Sequence, residues 1–381
     1  MSVQEKLTAP GPKRLLALDG GGIRGLISLE FLFEIQHVLR EATGRPDLVL
    51  ADYFDYVAGT STGAIIATCV SLGMSVEAIR EFYLSQGRAM FQKAHLFDQI
   101  KHRFAAANLT AILQERLGAD TTLGTDDLRT LLLLVMRNAS SDSPWPLSNN
   151  PRATYNDLGR NDCNLKLPLW KLVRASTAAP TYFPPEVIDV GDSRFVFVDG
   201  AVTMYNNPAF LLFRMSTLAQ YKLCWPTGEQ NLLLISVGTG LSARANKDLR
   251  PDQMNLLYNA GSVPSALIYA ASVEQDMLCR LFGRLRAGLA LDEEIGSLVE
   301  DAGLCSPKLL TYMRYDVDLS QEGLNELGLP HIAAAAVQPL QQVEHLDELQ
   351  TVGRAAAERG VHLEHFEGFV GAAGDRTEAK A

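Results

Sequence analysis

The sequence is poor in cysteine, has no long apolar run and carries no basic excess. Its five cysteines (Cys69, Cys163, Cys224, Cys279 and Cys305) are scattered, odd in number and never spaced C-x-x-C. That spacing excludes a zinc ribbon and a disulfide scaffold, and it suits the reduced thiols of a cytoplasmic chain. No stretch approaches the roughly eighteen consecutive apolar residues of a membrane span. Met1–Lys13 lacks the apolar segment of a secretory leader. Lys and Arg total 34 against 44 Asp and Glu, a net charge of −10. A nucleic-acid polymer is therefore a poor partner, and so is a permanently docked basic membrane face. No repeat or low-complexity block appears.

What is present is a chain of 381 residues, 47% hydrophobic, with ample material for a core. One stretch organises it: Tyr56-Val-Ala-Gly-Thr-Ser-Thr-Gly-Ala-Ile-Ile-Ala-Thr-Cys-Val70. A short apolar run ends in Gly59-Thr-Ser61-Thr-Gly63, and a small-residue apolar helix over Gly63–Ser71 follows at once. A serine on so tight a turn needs glycine two positions before and after it, and its hydroxyl is pushed clear of the backbone. Three fixed positions in five also describe many ordinary loops; the placement between strand and helix is what strengthens the signal.

Upstream, the strand Arg14–Leu18 runs into Asp19-Gly20-Gly21-Gly22-Ile23-Arg24-Gly25, and helical periodicity continues from Leu26 to Arg40. Gly20-x-Gly22-x-x-Gly25 formally matches a dinucleotide fingerprint, which expects an acid ending a second strand. Glu41 and Asp47 stand near that distance, but in polar helix-end and loop context. The competing reading is an oxyanion hole, in which the amides of Gly21, Gly22 and their neighbours, helped by Arg24, face a carbonyl attacked by Ser61.

Further along, strands are expected over Asp52–Ala58, Thr130–Met136, Arg194–Val198, Asn231–Val237 and Leu309–Tyr315. Helices are expected over Val76–Gln86, Ala111–Leu117, Leu169–Thr177, from Asn206-Asn-Pro208 to Tyr221, through the long stretch Val263–Leu289, and from Gln321 onward. Met90–Ala107 reads as mixed and Asn138–Lys166 as a long loop. Asp199-Gly200-Ala201 leaves a strand as a carboxylate at its exit; most Asp-Gly pairs are turns, but here a nucleophile is already in the chain. The arginines at 280, 284 and 286 fit the solvated face of a core helix better than a lipid-facing lid.

Three motifs now stand in order, D-G-G-G-x-R-G at Asp19–Gly25, G-x-S-x-G at Gly59–Gly63 and D-G-A at Asp199–Ala201. With A-S-T-A-A-P-T-Y-F-P-P at Ala175–Pro185 and N-N-P at Asn206–Pro208, the chain resembles the patatin-like phospholipase family over residues 14–212. The resemblance implies an α/β protein: a three-layer α/β/α fold with a mostly parallel central sheet and a helical C-terminal part. It divides the chain into a loose lead (1–13), a catalytic core (14–212), the rest of the same unit with C-terminal helices (213–372) and a frayed tail (373–381). It implies hydrolysis of phospholipid or another lipid ester without cofactor or metal. Ser61 would be the nucleophile and Asp199 its base, with Gly21, Gly22, Arg24 and Gly25 as the oxyanion hole.

An ordinary aspartate, with a pKa of about 3.9, is a weak base for a serine hydroxyl. The dyad therefore requires a buried Asp199 within hydrogen-bond reach of Ser61. A triad drawing on His331, His345, His362 or His365 is the alternative; these lie in polar or tail segments and read as surface histidines. The block Ser143–Pro151 and the strand Tyr312–Tyr315 also resemble bacterial patatin-like effectors of anti-phage signalling. That narrower resemblance implies a cyclic-nucleotide activator and a cytoplasmic enzyme meeting the membrane only when active, and it leaves oligomeric state open.

Overall fold

The structure is a computed structural model that describes residues 1–91, 99–180, 182–241, 250–299 and 305–370. Its centre is a sheet made from the apolar runs read in the sequence. The strands are β1 (Lys13–Leu18), β2 (Tyr56–Thr60), β3 (Leu131–Asn138), β4 (Ser143–Ser148), β5 (Glu186–Val190), β6 (Ser193–Asp199), β7 (Leu232–Val237), β8 (Gly283–Ala287) and β9 (Leu310–Tyr315). They run in the order β5-β6-β3-β2-β1-β7-β9-β8, with β4 beside β3. The five central pairings are parallel, and those of β4, β5 and β6 are antiparallel.

Leucine-rich strands such as Leu131–Val135 carry no polar alternation because both faces are covered. Successive residues supply opposite cores. Leu16, Leu18, Val57, Leu132 and Ile235 pack on one side, and Leu15, Ala17, Tyr56, Leu131 and Leu234 on the other. The helices are α1 (Val3–Thr8), α2 (Gly25–Thr43), α3 (Leu50–Tyr53), α4 (Thr62–Ser71), α5 (Val76–Phe91), α6 (Gln99–Leu117), α7 (Leu169–Ser176), α8 (Ala209–Thr217), α9 (Leu256–Phe282), α10 (Gln321–Glu326), α11 (Ala334–Val337) and α12 (Leu346–Gly360). The first core takes in α2, α4, α7 and α12, the second α8 and the C-terminal part of α9. The result is the three-layer α/β arrangement that the resemblance implies.

Several local expectations need correction. The lead Met1–Lys13 is not loose: Ser2 and Glu5 form a reciprocal cap on α1. Lys6 reaches inward to the carbonyls of Ala51 and Phe54. Asp52 belongs to α3, where it caps Val49 and pairs with Arg129, so β2 starts only at Tyr56. The loop Asn138–Lys166 contains β4, whose Pro144 and Pro146 disguise it; proline is tolerated because β4 is paired on one side only. Helix α9 starts earlier than Val263 and stops at Phe282, where Gly283 opens β8. Part of Met90–Ala107 and all of the tail 373–381 lie outside the described residues.

The feature that builds the site is the edge of β3. Strand β4 lines one edge from Leu133 to Asn138. The other edge carries β2 as far as Val135 and then β6 from Met136. Since β2 is parallel and β6 antiparallel to β3, their C-terminal ends meet there. Thr60 lies opposite Val135 and Asp199 opposite Met136. Register alone brings residues 61 and 199 together.

Candidate active site

Ser61 stands between β2 and α4 with φ 54° and ψ −121°, a backbone conformation that favours glycine. The flanking glycines are needed for close approach. A Cβ on Gly59 would sit 2.1 Å from the carbonyl oxygen of Gly63, and one on Gly63 2.3 Å from that of Leu18. The turn is pinned from behind by Ser176. Its hydroxyl accepts the Ser61 N–H at 3.0 Å and donates to the carbonyl of Val135 at 2.5 Å. Ser61 caps no amide of α4 with its side chain, so its Oγ is free to turn elsewhere. It donates to Oδ2 of Asp199 at 2.7 Å.

Asp199 ends β6 and is almost wholly buried. Its Oδ1 accepts the N–H of Ala201 at 2.8 Å, which closes the Asp-Gly-Ala turn. Burial pushes its pKa up to about 6, against the opposing pull of the Ala201 N–H, the Ser61 hydroxyl and the Arg174 guanidinium. Gly200 fits because a Cβ there would lie 2.3 Å from the Val135 carbonyl oxygen.

The glycine loop lies against this pair. A Cβ on Gly20 would approach the Ser61 Cβ to 3.3 Å. The loop is held by its edges: Gly20 donates to the Asn206 carbonyl at 3.1 Å, Thr239 donates to the Gly20 carbonyl at 3.1 Å, and Ile23 donates to Leu340 at 3.0 Å. Among the described residues, the N–H groups of Gly21 and Gly22 have no protein partner. Those of Arg24 and Gly25 are already used, on Gly21 and on Gly22 with Ile23 respectively. Of the four residues expected to form an oxyanion hole, Gly21 and Gly22 thus keep free amides, while the amides of Arg24 and Gly25 are spent in the loop's own turn. The Arg24 guanidinium donates to the Gln338 carbonyl at 3.1 Å.

The dinucleotide reading fails on position. Strand β2 ends in Gly59-Thr60 and hands over to Ser61, with no acid there; Glu41 lies in α2 and Asp47 in a loop. The histidine alternative fails on contact. His365 bonds the Tyr315 hydroxyl at 3.0 Å and His345 pairs with Glu348 at 2.8 Å. His331 and His362 are exposed. None of the four meets Ser61 or Asp199 in any described hydrogen bond. Sequence reasoning missed the roles of Ser176 and Asn206. Both sit in motifs it quoted, but neither residue type announces that it pins someone else's backbone.

A second carboxylate also leaves its strand next to glycine. Asp19, at the end of β1, receives two hydrogen bonds from Arg314 of β9, at 3.0 and 2.7 Å. Arg314 also donates to Asp316 at 2.6 Å and to Ser236 at 2.7 Å. Among the described residues, no group of three or more His, Cys, Asp and Glu stands ready for a metal ion.

The model of the family described as "Patatin-like phospholipase" matches residues 16–213, just over half of the chain. Patatin-17 of Solanum cardiophyllum is 28% identical over 258 residues, covering 61% of this chain and 62% of that protein. A cGAMP-activated phospholipase of Escherichia coli (strain TW11681) is 27% identical over 233 residues, covering 59% of this chain and 62% of that one. The chain thus spans less than two thirds of the length of these relatives. Human GIVD cytosolic phospholipase A2 superposes with a TM-score of 0.48 at 12% identity, covering 97% of this chain and 62% of that structure. That likeness is too distant to transfer any residue. The family match and the five motif blocks agree, and the chain belongs to the patatin-like phospholipase family.

Proposed function

We propose that this protein is a serine acyl hydrolase of phospholipids that works through a Ser61–Asp199 dyad. The observation that carries this reading is the 2.7 Å hydrogen bond from the Ser61 hydroxyl to a buried carboxylate. A carboxylate with a pKa of about 6 is ionised at neutral pH, yet basic enough to take a proton in a transition state. Ser61 Oγ attacks the ester carbonyl while its proton passes to Asp199. The oxyanion is held by the N–H groups of Gly21 and Gly22, with the start of α4 favouring negative charge. Asp199 returns the proton to the departing lysolipid oxygen, leaving an acyl group on Ser61. Water, deprotonated by Asp199, then releases the fatty acid and restores the hydroxyl.

A fluorophosphonate probe tests the nucleophile: it labels the wild type and leaves Ser61→Ala unlabelled. Fatty acid release from phospholipid by the wild type alone completes the assignment. Labelling that survives Ser61→Ala removes the proposal.

Activation by a cyclic nucleotide is the finer part of the reading. It rests on relatives named cGAMP-activated phospholipases, 27% and 29% identical. Five free cysteines suit a reducing cytoplasm, from which the enzyme meets the membrane surface. Adding cGAMP to the same assay should raise turnover; an unchanged rate assigns this chain a constitutive activity.

A further inference from the structure

The two halves of α9 live in different surroundings. Its C-terminal half is locked into the body. Asp276 and Arg280 pair at 2.7 Å beneath the Tyr312 hydroxyl, and Cys279 is fully buried. Its N-terminal half carries no charge and presents apolar side chains to solvent. No charged residue occurs between Gln253 and Val273. Every residue from Val263 to Leu267 is exposed, Leu267 to 65% and Val263 to 47%. Tyr258 and Tyr269 are exposed on the same half.

This surface is continuous with the rim of the candidate site. Ser272 accepts a hydrogen bond at 3.1 Å from Asn206, the residue whose carbonyl holds Gly20. The turn Gly200–Val202, directly after Asp199, packs on α9. Val202 and Met204 on that side are also exposed, as is Leu340, whose carbonyl holds Ile23.

We infer that the N-terminal half of α9, with Val202 and Met204, is the surface by which this protein docks on a zwitterionic phospholipid bilayer. The inference rests on the hydrolase reading, because it takes the substrate to be lodged in that bilayer. Apolar side chains flanked by tyrosines are what an interfacial helix offers to the headgroup boundary. The uncharged run and the net charge of −10 favour a zwitterionic over an anionic bilayer.

The test uses the full chain carrying Ser61→Ala, so that binding is read without hydrolysis. It should float with phosphatidylcholine vesicles, and neither anionic lipid nor high salt should change the bound fraction much. Leu267→Asp should weaken vesicle partitioning by about tenfold or more. In the active background it should leave fluorophosphonate labelling and cleavage of a soluble short-chain ester within about twofold of wild type. Leu267→Trp should keep binding, with a blue-shifted emission on adding vesicles. Wild-type binding by Leu267→Asp, binding only to anionic vesicles at low salt, or a dimer that Leu267→Asp dissociates would each overturn the inference. Those results leave probe labelling at Ser61 untouched, so loss of this surface and loss of the hydrolase reading are separable.

Discussion

Asp19 and Asp199 look like the same device. Each stands at the C-terminal end of a strand, Asp19 just after β1 and Asp199 as the last residue of β6; each precedes glycine, each is buried, and burial pushes each pKa up to about 6. Their partners differ. Asp19 receives a bidentate clamp from Arg314, so its charge is matched and its oxygens are occupied by a cation. Asp199 receives a backbone N–H and a hydroxyl, both neutral, and its hydroxyl partner is the only one with a proton to give. The lesson is that a raised pKa alone does not mark a base. In the proposed mechanism, what sets the base apart is a neutral hydroxyl donor on the carboxylate and no cation bonded to it.

The sharpest way to break this contrast is to remove one charge from each side. Asp199→Asn should lower phospholipid turnover roughly 10²–10⁴-fold, the range for loss of a general base. Its kcat should fall more than its KM changes, because the proposed mechanism has Asp199 act on the reacting proton. If Asp19→Asn lowers kcat as far while remaining equally folded, the two carboxylates are not different in kind.

The second expected effect lies on the other side. Arg314→Leu leaves Asp19 and Asp316 buried without their cation and should cost about 3–5 kcal/mol in urea unfolding. A loss below about 1 kcal/mol would show that water or rearrangement replaces the guanidinium.

The two sides were not equally legible from sequence. The Ser61 turn could be read because Gly59 and Gly63 are demanded by close approach, a local constraint that leaves a local signature. Asp199 was found through its Gly-Ala neighbours. The pairing of Asp19 with Arg314 left no trace, since it joins residues far apart in the chain through the adjacency of β1, β7 and β9. The central strands were legible because their apolar runs exceed what a solvated element tolerates. Strands β4 and β5 were hidden by proline and by exposed, polar edge positions, and β8 by the long apolar helix running into it. Which amides of the glycine loop stay free for the proposed oxyanion hole depends on those its own turn has already used, and only the folded backbone discloses that.

The third prediction reads Asp199 as a stability liability. Its folded-state pKa lies above the ordinary 3.8, so the folded protein holds the proton more tightly than the unfolded chain. No penalty exists below the unfolded value. It grows as pH rises through the interval up to about 6 and is complete above it. At neutral pH, Asp199→Asn should therefore raise stability, by about 2–3 kcal/mol. The gain should fade as pH falls from about 6 and be gone below the unfolded value. The same titration should cut kcat/KM of the wild type on the acid side near pH 6, where Asp199 becomes protonated. A variant that is less stable than wild type at neutral pH, or an acid limb near 4, would mean that burial does not govern this carboxylate.

The smallest effect concerns the strain that accompanies the free carboxylate. Ser61 holds φ 54° with ψ −121°, a conformation that a Cβ makes unfavourable by about 1–3 kcal/mol and that glycine adopts without penalty. Glycine also makes the unfolded chain more flexible, which offsets part of the gain. It leaves Asp199 with one hydrogen bond fewer as well. Ser61→Gly should therefore stabilise the fold by only about 1 kcal/mol, seen as a higher urea midpoint at unchanged slope, while abolishing probe labelling. Ser61→Ala keeps the Cβ and should gain less than Ser61→Gly. If the two variants melt alike, the turn is held without strain, and the backbone around Ser61 is no more burdened than that around Asp19.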